Sequence, residues 1–264
     1  MTTDEWAEEN KYMRYYVLAD VHGYYTKMID KLTEVGFFDD KEPHKLILCG
    51  DMMDRGKEAC KMQEFMYKLL QEDKLIFIRG NHEDLMMDML RDFPEKMDDI
   101  LAGYTHHNSN RTFDTAVQLS KMSKGNIRNN PDKFIRRVRD SAFCKELIPA
   151  AIDYYETPDL IFVHGWIPHK DNKYDPDWRN ASETEWRKAR WYNGIDCAVL
   201  HDILEDDRVI VCGHWHTSYG HYYFGNPPKQ QNNFAPFCGE GFIAMDGCTA
   251  LSGVVNCIVI EEAI

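Results

Sequence analysis

Five short apolar runs in this chain are each followed at once by residues that bind metal ions. YYVLA at 15–19 leads to Asp20, Val21, His22 and Gly23, and KLILC at 45–49 leads to Gly50, Asp51, Met52, Met53, Asp54, Arg55 and Gly56. KLIFI at 74–78 leads to Arg79, Gly80, Asn81, His82 and Glu83. LIFV at 160–163 is followed by His164, Gly165 and Trp166, and RVIVC at 208–212 by Gly213, His214, Trp215 and His216. With FIAM at 242–245 and VVNCIVI at 254–260, these runs read as strands buried on both faces.

Helical stripes lie between the first runs. Tyr25, Met28, Ile29, Leu32 and Val35 share one face and Met62, Phe65, Met66, Leu69 and Leu70 another, with Gly36 placed to stop the first helix. Alternating strand and helix implies an α/β layered sheet, at least partly parallel or mixed. Residues 84–150 carry helical patterns without convincing strands and are read as a helical cap inserted into a single domain spanning 1–264. Met86, Met87, Met89 and Met97 suit packing of that cap.

In open α/β sheets, ligands bind beyond the carboxyl ends of the strands, so the five clusters are expected to converge. In an extended segment, residues i and i+2 share a side, which pairs Asp20 with His22 and His214 with His216. Adjacent glycines permit sharp turns and close approach to bound oxygens. Mixed carboxylate, imidazole and amide ligands suit borderline divalent ions such as Mn, Fe or Zn. The set is too large for one tetrahedral zinc and implies two ions. Glu83 is assigned to supporting its turn, and His44, His106, His107, His169, His201 and His221 stand outside any motif.

Composition narrows the function further. The formal net charge of −13 disfavours nonspecific binding to nucleic acid or anionic membrane. Residues 84–146 are the exception, with 11 Lys+Arg against 10 Asp+Glu, or +1, and they include FIRRVRD, a segment suited to facing an anionic substrate. No run of about 18 uncharged apolar residues occurs, and the start MTTDEWAEEN is acidic, so a soluble cytoplasmic protein is expected, with a monomer as the default in the absence of any sign of assembly. Eight cysteines without a CxxC pair read as reduced, partly buried thiols.

DVHG, GDMMDRG and GNHE, followed by HG and GH, resemble the phosphoprotein phosphatase branch of the calcineurin-like metallophosphoesterases. That branch includes bacterial and phage serine/threonine protein phosphatases and symmetrical diadenosine tetraphosphate hydrolases. The resemblance is close over residues 15–83 and looser over 160–260, and its specificity lies in the ordered set of motifs. It implies a sandwich of mixed sheets flanked by helices. Asp20 and His22 would bind the first ion, Asp51 would bridge both, and Asn81, His164 and His214 would complete the second. His216 would add a ligand to the first ion, as in the wider family. His82 and Asp54 would form the acid pair at the leaving group. Arg55 would grip the phosphate, aided by Asn81 and by Arg190 or Arg187 of EWRKARW, with Arg190 preferred.

The implied activity is hydrolysis of phosphate monoesters by direct attack of water activated by two ions, Mn2+ first, with Fe, Zn, Co and Ni as alternatives. A phosphorylated protein is the first substrate, a dinucleoside polyphosphate the second, and a noncatalytic binding protein the third reading. HGW replaces the HGG of eukaryotic members, and FIAMDGCTALSG lacks their usual loop, which points to a bacterial type. Trp166, Trp191, Tyr104 and Trp215 are candidate stacking surfaces for a nucleotide.

Overall fold

A computed structural model describes residues 12–226 and 229–263, so the acidic amino terminus lies outside the described residues. Strands β1 (Tyr12–Leu18), β2 (His44–Cys49) and β3 (Leu75–Ile78) alternate with helices α1 (Tyr25–Glu34) and α2 (Ala59–Gln71). A helical stretch follows: α3 (Asn81–Ala102), α4 (His106–Ser109), α5 (Thr112–Ser120), α6 (Lys124–Asn129), α7 (Pro131–Arg139), a π-helical turn at Phe143–Leu147 and α8 (Ile148–Ala150). The remainder supplies β4 (Tyr155–Glu156), β5 (Leu160–Phe162), α9 (Glu183–Ala189), α10 (Gly194–His201), β6 (Val209–Cys212), α11 (Thr217–Tyr223), β7 (Phe237–Gly239), β8 (Phe242–Ala244), α12 (Thr249–Ser252) and β9 (Ile258–Ala263). Among the described residues, no helix is long and apolar enough to cross a membrane.

The strands form two mixed sheets, ordered β3-β2-β1-β9 and β4-β5-β6-β8-β7. Parallel pairing of β1 with β2 and β2 with β3 brings three carboxyl ends to one edge, and β5, β6 and β8 do the same in the second sheet. Burial follows the pleat. Tyr15, Val17, Ile47 and Cys49 face Phe162 and Val211 across the inter-sheet core, whereas Tyr16, Leu18, Leu46 and Leu48 face the helices. Both faces are therefore apolar, which is why these strands carry uninterrupted hydrophobic runs.

The helical segment is continuous with this core. Phe93, Phe113, Phe134, Phe143 and Leu147 share one apolar cluster with Leu46, Leu48, Met62 and Met66. Two edge strands, β4 and β7, carry too few residues for a sequence pattern to register. The run at 254–260 becomes strand only from Ile258. Ahead of it, the Asn256 side-chain amide donates to the carbonyls of Phe234 and Met245, at 2.8 and 2.9 Å, and fixes that stretch as an irregular linker.

At the rim of the first sheet, Asp40 accepts hydrogen bonds from the Tyr16 hydroxyl at 2.7 Å, the Arg14 guanidinium at 2.8 Å and the Glu42 amide at 3.0 Å. Burial opposes its ionisation, but these donors outweigh it and lower its pKa to about 2. Stabilisation from a lowered carboxylate pKa is present above the unfolded value of about 4 and lost as pH falls through the folded value. Urea titrations at pH 7 and pH 2 should therefore show a loss in wild type that Asp40→Asn lessens. Solvent screening at this rim position sets the difference at about 1 kcal/mol.

Candidate active site

The loops beyond β1 and β2 are bonded to each other before any ligand enters. The Asp20, His22 and Gly23 amides donate to the carbonyls of Gly50, Asp51 and Met52, at 3.3, 3.0 and 2.8 Å. Asp20, His22, Asp51, Asp54, Arg55 and His214 all adopt left-handed backbone, with φ between 47° and 71°. The expectation that i and i+2 converge by strand alternation is therefore corrected: the chain has left extended geometry at these positions. Such a conformation costs a residue with a Cβ about 1–2 kcal/mol, and clusters of this strain mark functional sites.

Two groups of possible ligands meet at Asp51. His22, Asp51 and His82 form one and Asp51, His164 and His214 the other, with ligand atoms inside each within 4.8 Å of one another. Asp51 Oδ2 lies 3.6 Å from His22 Nε2 and 3.8 Å from His82 Nε2, and its Oδ1 lies 3.4 Å from His164 Nε2. The ring hydrogen bonds fix which nitrogen is free. His22 Nδ1 donates to the Met53 carbonyl and His164 Nδ1 to the Cys49 carbonyl, each at 2.9 Å, leaving both Nε2 atoms with lone pairs in the neutral rings. The His164 Nε2 lone pair faces Asn81 Oδ1 at 2.8 Å as well as Asp51.

Around His164 Nε2, which faces Asn81 Oδ1 and Asp51 Oδ1, acceptors opposed without a proton between them repel unless a cation intervenes. The donor set therefore fits divalent metal ions, and the cluster is able to hold metal. Glycines allow the approach: Gly50 has φ +79°, and a Cβ there would collide with the His164 ring, while one at Gly80 would strike Asp51 Oδ1.

Electrostatics agree with the packing. Burial opposes charge on Asp51, but the imidazoles of His164, His82, His22 and His214 outweigh it and hold this carboxyl well below its usual range. Burial, reinforced by His164, pushes His214 down to about 3. Asp20 is raised well above its usual value by burial, Asp246 and Asp51. It accepts from the His214 amide at 2.9 Å, joining the two sheets across the site, and its Oδ1 lies 4.0 Å from His22 Nε2. Glu83 accepts from the amides of Gly80, Asp51 and Met52 at 2.7, 3.1 and 3.0 Å, tying the β2 loop to the start of α3.

The second feature is an acid pair. His82 Nδ1 and Asp54 Oδ2 are 2.7 Å apart, and the Thr112 hydroxyl donates to the same oxygen at 2.7 Å. Thr115 Oγ1 accepts from the Asp54 amide at 3.1 Å, so α5 of the helical segment sets this carboxylate. Burial lowers the pKa of His82, but Asp51 and Asp54 together raise it above its ordinary value. Its Nε2 lies 3.3 Å from Arg55 Nη2, while Arg55 Nη1 donates to the His22 Nε2 lone pair at 2.7 Å. Arg55 is exposed and opens on a cavity of about 550 Å3 that also touches His214, Trp215 and His216.

The structure thus brings Asp20, His22, Asp51, Asp54, Arg55, Asn81, His82, His164 and His214 together. Arg190 requires correction. Its guanidinium is 2% exposed and enclosed by Asp84 at 2.8 Å, Glu183 at 3.2 Å and Asp153, so its forked donors bind carboxylates and are not free for phosphate. Arg187, the alternative, pairs with Asp88. Arg190→Gln should take from buried Asp84 one of its two arginine partners and lower thermal stability by about 1–3 kcal/mol, with metal content retained.

His216 stands apart from both ligand groups. It is 46% exposed at its side chain and lies 3.8 Å from Asp246 Oδ2, so it does not pair with His214 as i and i+2 alternation required. Asp246, buried at the end of β8 and raised by that burial, was missed by sequence reasoning. Its signal was a sixth strand ending in an acid and a glycine. Thr112 and Thr115 carried no motif. Of the aromatics, Trp166 is buried in the second sheet's core, whereas Trp191 and Trp215 flank His214, at ring distances of 5.7 and 6.0 Å.

Comparison with known proteins follows the same lines. A family model described as calcineurin-like phosphoesterase matches residues 13–231. The asymmetrical bis(5'-nucleosyl)-tetraphosphatase PrpE of Bacillus velezensis is 24% identical over 60% of this chain and 59% of its own length. Serine/threonine-protein phosphatase 2 of Salmonella typhimurium is 34% identical over 29% of this chain and 33% of its length. The match thus spans less than two thirds of either relative. Among solved structures, the cold-active protein-tyrosine phosphatase of a psychrophilic Shewanella superposes with a TM-score of 0.53 at 16% identity, covering 96% of this chain and 82% of that one. That likeness concerns the fold alone.

Proposed function

We propose that this chain, which belongs to the calcineurin-like phosphoesterase family, is a metal-dependent phosphoesterase holding two ions and hydrolysing phosphate monoesters. The observation that carries the proposal is Asp51, shared by two histidine groups and adjacent to the His82–Asp54 pair. Asp20, His22 and Asp51 would hold one ion, and Asp51, Asn81, His164 and His214 the other. His216 is kept as a further ligand on the first side. When bound, two divalent ions supply Lewis acidity toward phosphoryl oxygens and lower the pKa of water. Mn2+ is the first choice for this mixed donor set, with Fe, Zn, Co and Ni as alternatives.

The chain's own residues supply the rest. Arg55 is exposed on the cavity with its planar fork resting on His22 and His82 Nε2, and a phosphate would take those two donors in place of the rings. His82, whose pKa burial lowers but Asp51 and Asp54 together raise, would deliver a proton from Nε2 to the leaving oxygen once Arg55 turns from that atom to the phosphate, while Asp54, held by Thr112, fixes the ring at Nδ1. In this reading the helical cap of residues 84–150 acts through α5 as a buttress for that acid.

A phosphoserine or phosphothreonine protein is the first substrate. A dinucleoside polyphosphate is the second, favoured by the two exposed indoles beside His214. The deciding assay is a panel of phosphoserine peptide, p-nitrophenyl phosphate and diadenosine tetraphosphate, with and without added Mn2+. Fast metal-dependent release from the peptide supports the first substrate, preference for the dinucleotide supports the second, and silence from metal-replete protein sinks the phosphoesterase reading.

A further inference from the structure

His106 and His107 belong to no sequence motif, yet the fold sets both of them against Asp92. The three side chains offer ligand atoms that all lie within 4.8 Å of one another. Asp92 is on α3 and the histidines open α4, so the group is assembled from two helices. It stands apart from the centre at Asp51. Ten residues of α3 separate Asp92 from His82, which amounts to about 15 Å of helix.

Hydrogen bonds hold α4 to the last turn of α3. Asn108 Oδ1 accepts from the Thr105 amide at 3.2 Å and the Thr105 hydroxyl at 2.8 Å, and its Nδ2 donates to the Ile100 carbonyl at 3.0 Å. Consecutive residues of a helix ordinarily point apart. Here the His106 and His107 ring centroids are 3.9 Å apart, and both rings reach the α3 face that carries Asp92. His107 is fully buried without the partners of a structural histidine. Its Nδ1 has none among the described residues, whereas buried polar groups are nearly always hydrogen-bonded. Its Nε2 lies 3.3 Å from Asp92 Oδ2. That is longer than the about 2.7–2.9 Å of a charge-assisted hydrogen bond. It matches the about 3.3 Å that separates two ligands on one tetrahedral zinc. The His106 ring is exposed and makes no hydrogen bond among the described residues. Asp92 is also paired with Lys96 at 2.8 Å and Arg91 at 3.6 Å, both on exposed side chains free to withdraw into water. Such exposed pairs are worth about 0–1 kcal/mol and do not compete strongly with a divalent ion.

We propose that Asp92, His106 and His107 bind a borderline divalent cation, Zn2+ in the first place, which staples α4 to α3. Two imidazoles and one carboxylate are the ligands of such an ion, whereas Ca2+ and Mg2+ take oxygen. The ion displaces Lys96 from Asp92, and water completes its coordination. The site is separate from the Asp51 centre and rests on no property of it. Its place in the fold gives it a structural role. Two residues after α4 the chain enters α5, whose Thr112 and Thr115 hold Asp54, so the staple steadies the segment that sets this carboxylate.

The test is the zinc content of wild type, His106→Ala and Asp92→Asn after equilibrium dialysis, at the lowest free Zn2+ concentration that saturates wild type. The difference between proteins is read, so ions at the Asp51 centre cancel. His106 is exposed and Asp92→Asn keeps the side chain's shape, so both variants should fold. Each is expected to hold one zinc ion fewer per chain, with affinity at this site lower by about 100-fold or more. Loss of a group merely behind a ligand already costs about 10- to 100-fold. Nitrogen-15 spectra of the histidine rings give a second readout. Zn2+ should shift the ring nitrogens of His106 and His107 in wild type and leave His107 unmoved in Asp92→Asn. Equal zinc content in all three proteins would overturn the proposal. So would a loss in His106→Ala alone, which would mark an adventitious histidine pair, or a His107 ring that zinc does not move in wild type.

Discussion

Asp51→Asn protein should purify folded, with less metal than wild type and turnover lower by roughly 10³-fold. The substitution keeps the shape of the side chain and removes the negative charge that, among the described residues, the two histidine groups share. Burial opposes charge on that carboxyl, but the neighbouring imidazoles outweigh it and hold its pKa below the usual carboxylate range. A neutral amide would hold an ion shared with His22 or His164 less well than the carboxylate does. Metal stabilisation of the transition-state charge amounts to several kcal/mol, and each 1.36 kcal/mol is a factor of ten. Elemental analysis of the dialysed protein, together with initial rates at saturating Mn2+, measures both effects. Wild-type metal content in this variant would show that the cluster is not built around Asp51.

His82→Asn should separate metal binding from proton delivery. In the proposed reaction the His82 ring would deliver its proton to the leaving group while Asp54 holds Nδ1, and Thr112 and Thr115 hold Asp54. Loss of a general acid costs about 10²- to 10⁴-fold where the leaving oxygen is a poor one. A phosphoserine peptide has such a leaving group and p-nitrophenyl phosphate does not. The variant is therefore expected to keep its metal, lose most turnover on the peptide and retain much more on the nitrophenyl ester. Asp54→Asn should follow the same split more weakly, because the amide still presents an oxygen to Nδ1. Wild-type rates on the peptide from His82→Asn protein would remove His82 from the proton path. An equal loss on both esters would place the defect in phosphate or metal binding instead.

Much of the centre was legible in one dimension. A strand end is local information, since an apolar run of four or five residues followed by Asp, His or Asn with glycine announces both the element and its terminal chemistry. The order of strands in a parallel sheet then brings those ends to one edge without any knowledge of side-chain geometry. The α1 and α2 stripes were equally visible because their period repeats over two or more turns.

Other features had no local signature. The conformation of Asp20, His22 and Asp51 comes from hydrogen bonds between loops that lie 30 residues apart in sequence, so alternation along a strand was the wrong guide. Arg190 sits in a motif that suggests phosphate, yet Asp84 and Asp153 approach it from positions 106 and 37 residues away and take its donors. Thr112 lies in a helix without any pattern and becomes part of the site only because that helix packs beside Asp54.

The sequence by itself determined which atoms are available at the strand ends, and hence the class of chemistry the chain can support, because metal-ligand type and spacing are covalent properties of the chain. Tertiary structure alone decided which nitrogen of each histidine is free, which arginine reaches solvent and which aromatic rings line the cavity. Each of these depends on a partner brought from a distant segment, and burial makes an unpaired polar group costly enough that the partner fixes the role.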